Sequence, residues 1–520
     1  MTVSIDKLVS ELSSDIVSTE PELISLYSQD VFGEGAPAKA VVKPTCIEEL
    51  QHLVRLCRSS NTPLIARGGG MSYTSGYLAE EEGGLLLDMT SMNKIVALDI
   101  ENAFVTVEAG MTWSALFEAL TPHGLRTPFW GSLSGRFATI GGGMSQNAVF
   151  WGSGYHGAAG DSVLSLGVIT GTGDFIETGS AAQKNAKPFS RHFGPDLTGL
   201  FVGDCGAMGI KATVTLPLIT AYKAKAFAAY AFPDGHSMMS AMAEISRESL
   251  ASECFGFDPY LQAQRMKRAS LAADVSQLSG VIKAGETLKD KIVGGAKVAL
   301  AGRRFMDDVA WSFSTVSEGR TEAEAAFQKE RIDEISREHQ GRELPDSIPR
   351  ILAANPFGPV NNMVGAEGER WLPVHALVPH SDAKSTLDAI EALFDQHNAT
   401  MTEYSIETGY LITTVSQQIT LIEPVFFWPD ALNELHEHSL EDDHLARLNR
   451  HEAVPGAWDA VNTIKSEMTA MFSELGTSHF QLGRAYHYRD GLADANAEIV
   501  TALKSKLDPD GIINPGVLGL

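Results

Sequence analysis

Cysteine is scarce in this 520-residue chain, which has only Cys46, Cys57, Cys205 and Cys254. None of them forms a CxxC pair or a spacing typical of a metal site. The sequence therefore excludes a disulfide scaffold and a cysteine-based metal centre. Buried, reduced thiols fit a reducing compartment.

Positive charge and long apolar runs are also lacking. Lys and Arg number 40 against 65 Asp and Glu, which gives a formal net charge of −25, and proteins that bind phosphate backbones carry clustered cations instead. No apolar run approaches the ~18 residues of a membrane helix, and the first residues lack a basic region followed by an apolar core. We therefore expect a soluble, cytoplasmic protein with neither a nucleic acid nor a membrane as partner.

Glycine, in contrast, is plentiful, and its densest run lies between residues 139 and 179. Gly141, Gly142 and Gly143 permit positive φ angles and close approach of the backbone. Further glycines divide a stretch that is too apolar for a solvent loop. These are Gly152, Gly154, Gly157 and Gly160. Backbone amides in such a run can hold an anion.

A second glycine cluster occupies residues 63–76, after a predicted helix at 47–59. The order is strand, glycine loop, and another strand beginning at Leu85. A Rossmann fingerprint requires a helix to begin at the glycines, with an acidic residue about 20 positions later. No helical pattern follows here, so the loop predicts a pyrophosphate cradle of another kind.

Five sequence blocks in this order resemble the FAD-binding domain of the vanillyl-alcohol oxidase and 4-cresol dehydrogenase (PCMH-type) flavoprotein superfamily. They are the RGGG loop at Arg67, the Leu85 strand, VTVEAG at 105–110, the run at 139–179, and PDLTGLFVG at 195–203. Residues 206–218 resemble the strand pair that closes this domain. LDPDGIINPG at 507–516 resembles its C-terminal signature, so the resemblance spans nearly the whole chain.

The resemblance implies an α+β fold with a two-subdomain FAD-binding domain and a cap domain whose antiparallel sheet is flanked by helices. We expect the FAD-binding domain at 1–220, a substrate-binding cap at 221–470 and a segment at 471–520 that returns to the FAD domain. A chain of this length is expected to form two or more domains. In the cap, strands are predicted at 371–380 and 419–428, and helices at 251–300, 381–397 and 430–449.

The same resemblance assigns the residues that would bind FAD. They are Arg67, Gly68, Gly69, Gly70, Met71, Ser72, Thr139, Gly141, Gly142, Gly143, Asn147, Gly152, Gly154, Tyr155, Gly157, Asp161, Gly209 and Ile210.

Phenol-oxidising members hold a phenolate with a Tyr in the glycine loop and a Tyr-Arg pair before the C-terminal signature. Tyr77 lies where the loop Tyr is expected, but Phe480 and Gln481 occupy the two positions of the Tyr-Arg pair. Phe cannot donate a hydrogen bond, and Gln offers a neutral dipole in place of a cation. From the nearby cluster at 484–488 we expect Arg484 and Tyr486 to compensate. The candidate catalytic residues are Tyr77, Glu423, Gln481, Arg484 and Tyr486.

The hydroxy-acid branch of the superfamily places metal ligands on a histidine-rich strand and a later Glu-His pair. This chain has Glu423 on an apolar strand and His479 near the second position, so we predict no metal site. Glu423 is a candidate to accept a proton from a substrate hydroxyl, and an ion pair with a cap arginine is the alternative.

Covalent attachment of the flavin is not expected, because the family's attachment positions hold Met71, Val360 and Glu369. None of these side chains is a suitable nucleophile. His375 and His156 are the two histidines that a small shift in alignment would bring to such positions. We predict non-covalent FAD.

Two classes of function remain open. The first is an FAD-dependent dehydrogenase or oxidase that transfers a hydride from a small aromatic or phenolic alcohol, or from an alkyl side chain, to flavin N5. A 2-hydroxy-acid dehydrogenase is its alternative. The second class is a flavin-binding protein without redox turnover. Oxygen, a quinone or a cytochrome would be the acceptor, and the resemblance favours a homodimer.

Overall fold

A computed structural model describes residues 2–268 and 309–520. Within them, the strands in chain order are β1 (Val17–Ser18), β2 (Ala40–Val42), β3 (Leu64–Arg67), β4 (Leu85–Asp88), β5 (Ile95–Asp99), β6 (Phe104–Glu108), β7 (Leu125–Arg126), β8 (Ser165–Ile169), β9 (Phe175–Glu177), β10 (Ile210–Pro217), β11 (Ile219–Thr220), β12 (Ala224–Phe232), β13 (Glu253–Phe257), β14 (Trp311–Gly319), β15 (Arg342–Glu343), β16 (Arg370–Pro373), β17 (Ala376–Pro379), β18 (Glu407–Val415) and β19 (Ile419–Trp428). The α-helices are Ile5–Leu12, Pro21–Tyr27, Ile47–Ser59, Trp113–Leu120, Ile140–Gln146, Ser153–His156, Gly235–Arg247, Pro259–Arg268, Glu322–Glu338, Ser347–Ala354, Ala383–Gln396, Asn398–Glu403, Glu434–Ser439, Asp442–Leu445, Ala457–Glu474, Tyr488–Gly491 and Asp494–Leu507.

The first subdomain is a four-stranded sheet in the order β1-β2-β4-β3, with β2 and β3 parallel to β4. The amphipathic helix Ile47–Ser59, predicted from the sequence, packs its apolar face on this sheet through Leu50, Leu53 and Val54. The strand–loop–strand order around the glycine loop is confirmed. The loop follows β3 directly and therefore lies at the carboxyl end of a parallel strand.

The second subdomain is an antiparallel five-stranded sheet in the order β5-β6-β10-β8-β9. Its core includes Trp113, Phe129 and Phe201. Residues 206–218 were predicted to form a strand pair, but they supply the single long strand β10, which lies between β6 and β8.

The glycines at 141–143 differ from the prediction, because they lie in the helix Ile140–Gln146 and do not take positive φ angles. Thr139 caps this helix by accepting a hydrogen bond from Gly142 N at 3.2 Å. A Cβ on Gly141 would lie 2.6 Å from the Cβ of Ala109. Close packing of the helix therefore requires these glycines, in agreement with the predicted close approach of the backbone.

The cap is an antiparallel eight-stranded sheet in the order β15-β12-β14-β13-β18-β19-β16, with β17 also paired to β19. The predicted strand at 371–380 is divided into β16 and β17 by Val374 and His375. Two short helices replace the single helix predicted at 430–449. The helices predicted at 251–300 are only partly described: β13 is a strand, Pro259–Arg268 is a helix, and 269–300 lies outside the described residues.

The C-terminal segment returns to the FAD side of the molecule. Leu64 of β3 donates its amide proton to Ile512 O at 2.8 Å, and Asn514 N donates to Leu64 O at 3.0 Å. Lys504 donates to Ala207 O at 2.8 Å and is paired with Asp508 at 2.6 Å. The predicted α+β fold class is confirmed. None of the described helices is long and apolar enough to cross a membrane.

Candidate functional site

A cavity, here named the cofactor cavity, is lined by residues of both subdomains. Its walls come from the glycine loop, the helix Ile140–Gln146, and the turn and strand at 205–211. The lining residues include Ala66, Arg67, Gly68, Gly69, Gly70, Met71, Ser72, Tyr77, Met89, Thr139, Gly141, Gly142, Gly143, Ser145, Gln146, Cys205, Gly209, Ile210 and Lys211.

Backbone forms much of this wall because the glycine loop has no room for side chains. A Cβ on Gly69 would lie 1.9 Å from Phe137 O, and one on Gly68 would lie 2.3 Å from Thr139 Oγ1. Gly70 has a φ of +72°, which favours glycine. A bulky ligand can therefore lie directly against the main chain.

One positive charge in the cofactor cavity has no counter-ion. Arg67 is only 5% exposed, and its guanidinium lies 4.0 Å from the Tyr27 ring centroid and 5.5 Å from that of Tyr77. It forms no ion pair within the described part of the chain, and its Nε has no hydrogen-bond partner there. Lys211, in contrast, is neutralised by Asp204 at 2.6 Å. A buried, unpaired guanidinium suits an anionic ligand, so the loop and Arg67 together fit the pyrophosphate of FAD.

Most residues predicted to bind FAD line this cavity, but six do not. Gly152 N donates to Glu253 Oε1 at 2.8 Å, and Gly154 N donates to Ser252 O at 2.9 Å. These glycines bring the FAD domain against the cap at β13. Asn147 accepts the amide proton of Gly160 and Asp161 accepts that of Ala158. The six residues that do not line the cavity are Asn147, Gly152, Gly154, Tyr155, Gly157 and Asp161.

A second cavity of about 130 Å³, the junction cavity, adjoins the first. The two share Met71, Ser132, Ser134, Val149 and Gln481. The rest of its wall comes mostly from the cap and is largely apolar, with one cation and one carboxylate. The remaining lining residues are Val31, Tyr73, Leu133, Phe150, Leu261, Arg265, Val360, Asn362, Met363, Trp371, Leu411, Glu423, Val425 and Phe480.

A polar chain opens into the junction cavity. The Tyr73 hydroxyl lies 2.8 Å from His375 Nε2, and Glu423 Oε2 lies 3.1 Å from the same nitrogen. Gln481 Nε2 donates to the Tyr73 hydroxyl at 3.0 Å. His375 is fully buried and stacks on Phe480 with ring centroids 4.2 Å apart. Burial and the charge of Glu423 raise the pKa of Tyr73, so its hydroxyl stays protonated at neutral pH.

Tyr486 orients the imidazole of this chain from the opposite side. Its hydroxyl accepts the amide proton of His375 at 2.7 Å and lies 3.3 Å from His375 Nδ1. Having accepted one proton, the hydroxyl is placed to donate its own to Nδ1. This arrangement favours the tautomer that carries its proton on Nε2, which faces Glu423 and Tyr73.

The structure brings three of the five predicted catalytic residues together: Glu423, Gln481 and Tyr486. Tyr77 lies away from them, because its hydroxyl donates to Gly70 O at 2.8 Å. Arg484 also lies elsewhere and holds the glycine loop to the C-terminal segment through Ser75 O at 2.7 Å and Pro515 O at 2.6 Å. Both therefore support the cofactor cavity from outside the junction.

Sequence reasoning missed Tyr73 and Arg265, and considered His375 only for flavin attachment. Tyr73 follows the glycine loop by three residues, so the sequence indicated that its segment lies near the cofactor. The sequence did not indicate that its side chain contacts His375. His375 lies at the break between β16 and β17, and no sequence signal marked that break. Among the described residues, no cluster of three or more His, Cys, Asp or Glu side chains could hold a metal ion.

Comparisons with known proteins agree with this geometry. Residues 38–179 match the model of a family described as an FAD binding domain. The mitochondrial cytochrome-dependent D-lactate dehydrogenase of Arabidopsis thaliana is 23% identical over 482 residues, which cover 92% of this chain and 73% of the relative. Among solved structures, p-cresol methylhydroxylase aligns with a TM-score of 0.74 and 16% identity over 99% of this chain and 96% of its own. An alkyldihydroxyacetonephosphate synthase aligns with a TM-score of 0.67 and 14% identity over 99% of this chain and 85% of its own. At these identities the two structures establish the fold alone.

Proposed function

We propose that this chain, an FAD-linked oxidoreductase by its match to an FAD binding domain and its similarity to a D-lactate dehydrogenase, oxidises the CH–OH group of a small alcohol bound in the junction cavity. The observation that carries this proposal is the Tyr73–His375–Glu423 chain, which borders the junction cavity and contacts Gln481, a residue that lines both cavities. FAD bound in the cofactor cavity supplies the hydride acceptor.

Glu423 is the proton acceptor in this proposal. Its carboxylate lines the junction cavity and takes the proton of the substrate hydroxyl onto an Oε atom. His375 Nε2 lies 3.1 Å from Glu423 Oε2 on the buried side and is hydrogen-bonded to the Tyr73 hydroxyl at 2.8 Å. Tyr73, whose hydroxyl is held by Gln481, provides a second polar group that positions the oxygen of the substrate.

Aromatic and aliphatic walls support a substrate with an apolar body. Trp371, Phe480 and Phe150 contribute rings to the junction cavity. A cavity of about 130 Å³ suits a small molecule, and these walls exclude water from the reacting carbon once it is filled. Aromatic alcohols are therefore the first class to test, with hydroxy acids as the second.

Anaerobic mixing of the FAD-loaded protein with a panel of alcohols and hydroxy acids tests this function. Bleaching of the flavin absorbance by at least one substrate is the expected result. No bleaching across the panel, with FAD still bound, would favour a flavin-binding protein without redox turnover. Repeating the reaction with oxygen, a quinone and a cytochrome as acceptors then identifies which of them reoxidises the flavin.

The linkage to FAD is proposed to be non-covalent. Met71 lines both cavities and Val360 lines the junction cavity, yet neither can attack the flavin. Glu369 accepts the amide proton of Glu367 at 2.8 Å and lines neither cavity. Acid precipitation should leave all of the yellow colour in the supernatant, and colour retained in a washed pellet would contradict this proposal.

A further inference from the structure

A loop at residues 28–35, here named the strap, contacts both the FAD domain and the cap. It lies between the helix Pro21–Tyr27 and β2, and residues 28–32 are all buried although they belong to no helix or strand. Loops usually lie on the surface, because buried backbone groups need hydrogen-bond partners. Val31 of the strap lines the junction cavity, so the contacts that hold the strap also place one wall of that cavity.

The FAD domain holds the strap from one side. The amide of Val31 donates to Ser72 O at 3.3 Å. The carboxylate of Asp30 is fully buried and accepts two amide protons of the strap itself together with that of Ser75, at 2.8 Å. Ser72 and Ser75 flank Tyr73, whose hydroxyl belongs to the polar chain of the junction cavity. The strap is therefore fixed relative to the residue that is proposed to position the substrate oxygen.

The cap holds the strap from the other side. Arg370 is buried at the start of β16, next to Trp371, which also lines the junction cavity. Its Nη2 donates to Val31 O at 3.1 Å and to Phe32 O at 2.8 Å. The indole of Trp458 also donates to Phe32 O, at 3.0 Å, and its ring stacks on that of Phe32. Both polar main-chain groups of Val31 are thus fixed, the N–H by the FAD domain and the C=O by the cap.

We propose that Val31 limits the size of the substrate that the junction cavity accepts, and that Arg370 is the positioning residue that holds Val31 in the wall. This inference rests on the proposed function, which it deepens by naming a residue that selects among substrates. A β-branched side chain has few rotamers, and the main chain that carries this one is held at both polar groups. A larger substrate therefore cannot push Val31 aside and must fit the space that it leaves.

Binding of two neutral probes tests the role of Val31 without turnover. Benzamide and the larger 4-isopropylbenzamide are titrated into the FAD-loaded protein, with the flavin difference spectrum as the readout, and the ratio of their dissociation constants is compared among variants. Val31→Ala removes two methyl groups and should shift the ratio about tenfold in favour of the larger probe. Val31→Ile adds one and should shift it about fourfold the other way. Val96→Ala, on the exposed face of β5, is the matched control and should leave the ratio unchanged.

The positioning role of Arg370 is tested with the same ratio. Arg370→Met removes the donors to the strap and should shift the ratio in the same direction as Val31→Ala. Arg370→Lys should retain part of the selectivity, because an ammonium group can still donate to a carbonyl. Combining Arg370→Met with Val31→Ala should change the ratio by less than about twofold beyond Val31→Ala alone, since contacting residues are not additive. Arg342→Met, which removes an exposed cation on the edge strand β15, is the control.

The outcomes separate this inference from the proposed function. Failure of both probes to bind, or a ratio that stays within about twofold in Val31→Ala and Val31→Ile, overturns the role of Val31 and leaves the proposed oxidation standing. Loss of stability alone would not move the ratio in opposite directions in these two variants. If Arg370→Met folds and keeps the original ratio, the positioning role is overturned. If the ratio shifts as expected but no alcohol bleaches the flavin, the size limit stands and the proposed oxidation fails.

Discussion

The cofactor cavity and the junction cavity are built in different ways. The first is formed largely by main chain, and glycines are required there because a Cβ would collide with neighbouring backbone. The second is formed by side chains from separate segments, including Tyr73, Arg265, Glu423 and Gln481. A wall of backbone restricts sequence strongly, whereas a wall of side chains can be rebuilt for another substrate. The fold thus fixes the cofactor and leaves the substrate to vary.

Each cavity contains one guanidinium without a carboxylate partner among the described residues. Arg67 faces the space assigned to the pyrophosphate, and Arg265 faces the space assigned to the substrate. The first cavity is expected to hold the cofactor and the second the substrate. Variants in one cavity should therefore leave the function of the other unchanged.

The largest expected effect on the cofactor comes from Gly69→Ala. Its Cβ would lie 1.9 Å from Phe137 O, so the loop must move and the cofactor cavity changes shape. Overpacking of about 3 kcal/mol would weaken FAD binding roughly 100-fold, measured as the flavin content of the purified protein. Gly491→Ala is the control because nothing lies within 4 Å of its added Cβ. Full flavin content in Gly69→Ala would refute the close fit of the loop.

Glu423→Gln should change turnover without changing the cofactor. Loss of the proton acceptor is expected to slow flavin reduction by about 10²- to 10⁴-fold, measured by anaerobic stopped flow. Flavin content should stay constant. Glu407→Gln, an exposed carboxylate on the neighbouring strand β18, should react at the normal rate. A normal rate in both variants would remove Glu423 from the mechanism.

Arg67→Met tests whether the positive charge in the cofactor cavity contributes to FAD binding. Charge-assisted hydrogen bonds are worth about 1.5–3 kcal/mol, so FAD should bind about 10- to 100-fold more weakly. The apoprotein should be as stable as before, because the variant removes a buried cation that had no ion pair. Calorimetric titration of the apoprotein with FAD measures the affinity and scanning calorimetry of the apoprotein measures its stability, with Arg342→Met on the exposed strand β15 as control. Unchanged FAD affinity would place the pyrophosphate elsewhere.

Tyr486→Phe should have a smaller effect on turnover, because it acts only through the orientation of the His375 imidazole. The variant removes the hydroxyl that contacts His375 N and Nδ1. We expect kcat to fall about tenfold while KM and flavin content stay constant. Tyr488→Phe, two residues away and half buried, is the comparison variant. A change in KM alone would indicate that Tyr486 shapes the cavity and does not orient the imidazole.

The smallest effect concerns the seam between the FAD domain and the cap. Burial, with the nearby charge of Glu318, raises the pKa of Glu253 from 4.5 to about 7. The folded protein therefore retains this proton after the unfolded chain has released it, and stability falls as pH rises from about 4.5 to 7. Glu253→Gln should lack this loss and gain roughly 2–4 °C in Tm relative to the unmodified protein across that range. Parallel Tm curves would contradict the buried proton.

Much of the fold and of the cofactor cavity could be predicted from the sequence. Residues 38–179 match an FAD binding domain, as the resemblance predicted, and the glycine loop and Ile47–Ser59 lie where the pattern placed them. The junction cavity was harder to predict, because it depends on the direction of side chains. Tyr73 and Tyr77 both follow the glycine loop, yet only Tyr73 contacts His375. That contact joins residues about 300 positions apart, and spacing within one segment cannot reveal it.

The pairing of β3 with residues 512–514 bears on how the protein matures in the cell. Leu64 obtains hydrogen-bond partners from Ile512 and Asn514, and β3 leads directly into the glycine loop. During synthesis this strand is made well before its partner, which follows it in the chain by about 450 positions. Domains that are continuous in sequence can fold while translation proceeds, but here the strand that leads into the glycine loop lacks these hydrogen bonds until residues 512–514 have been made. The order of synthesis thus separates the making of the glycine loop from the completion of its support.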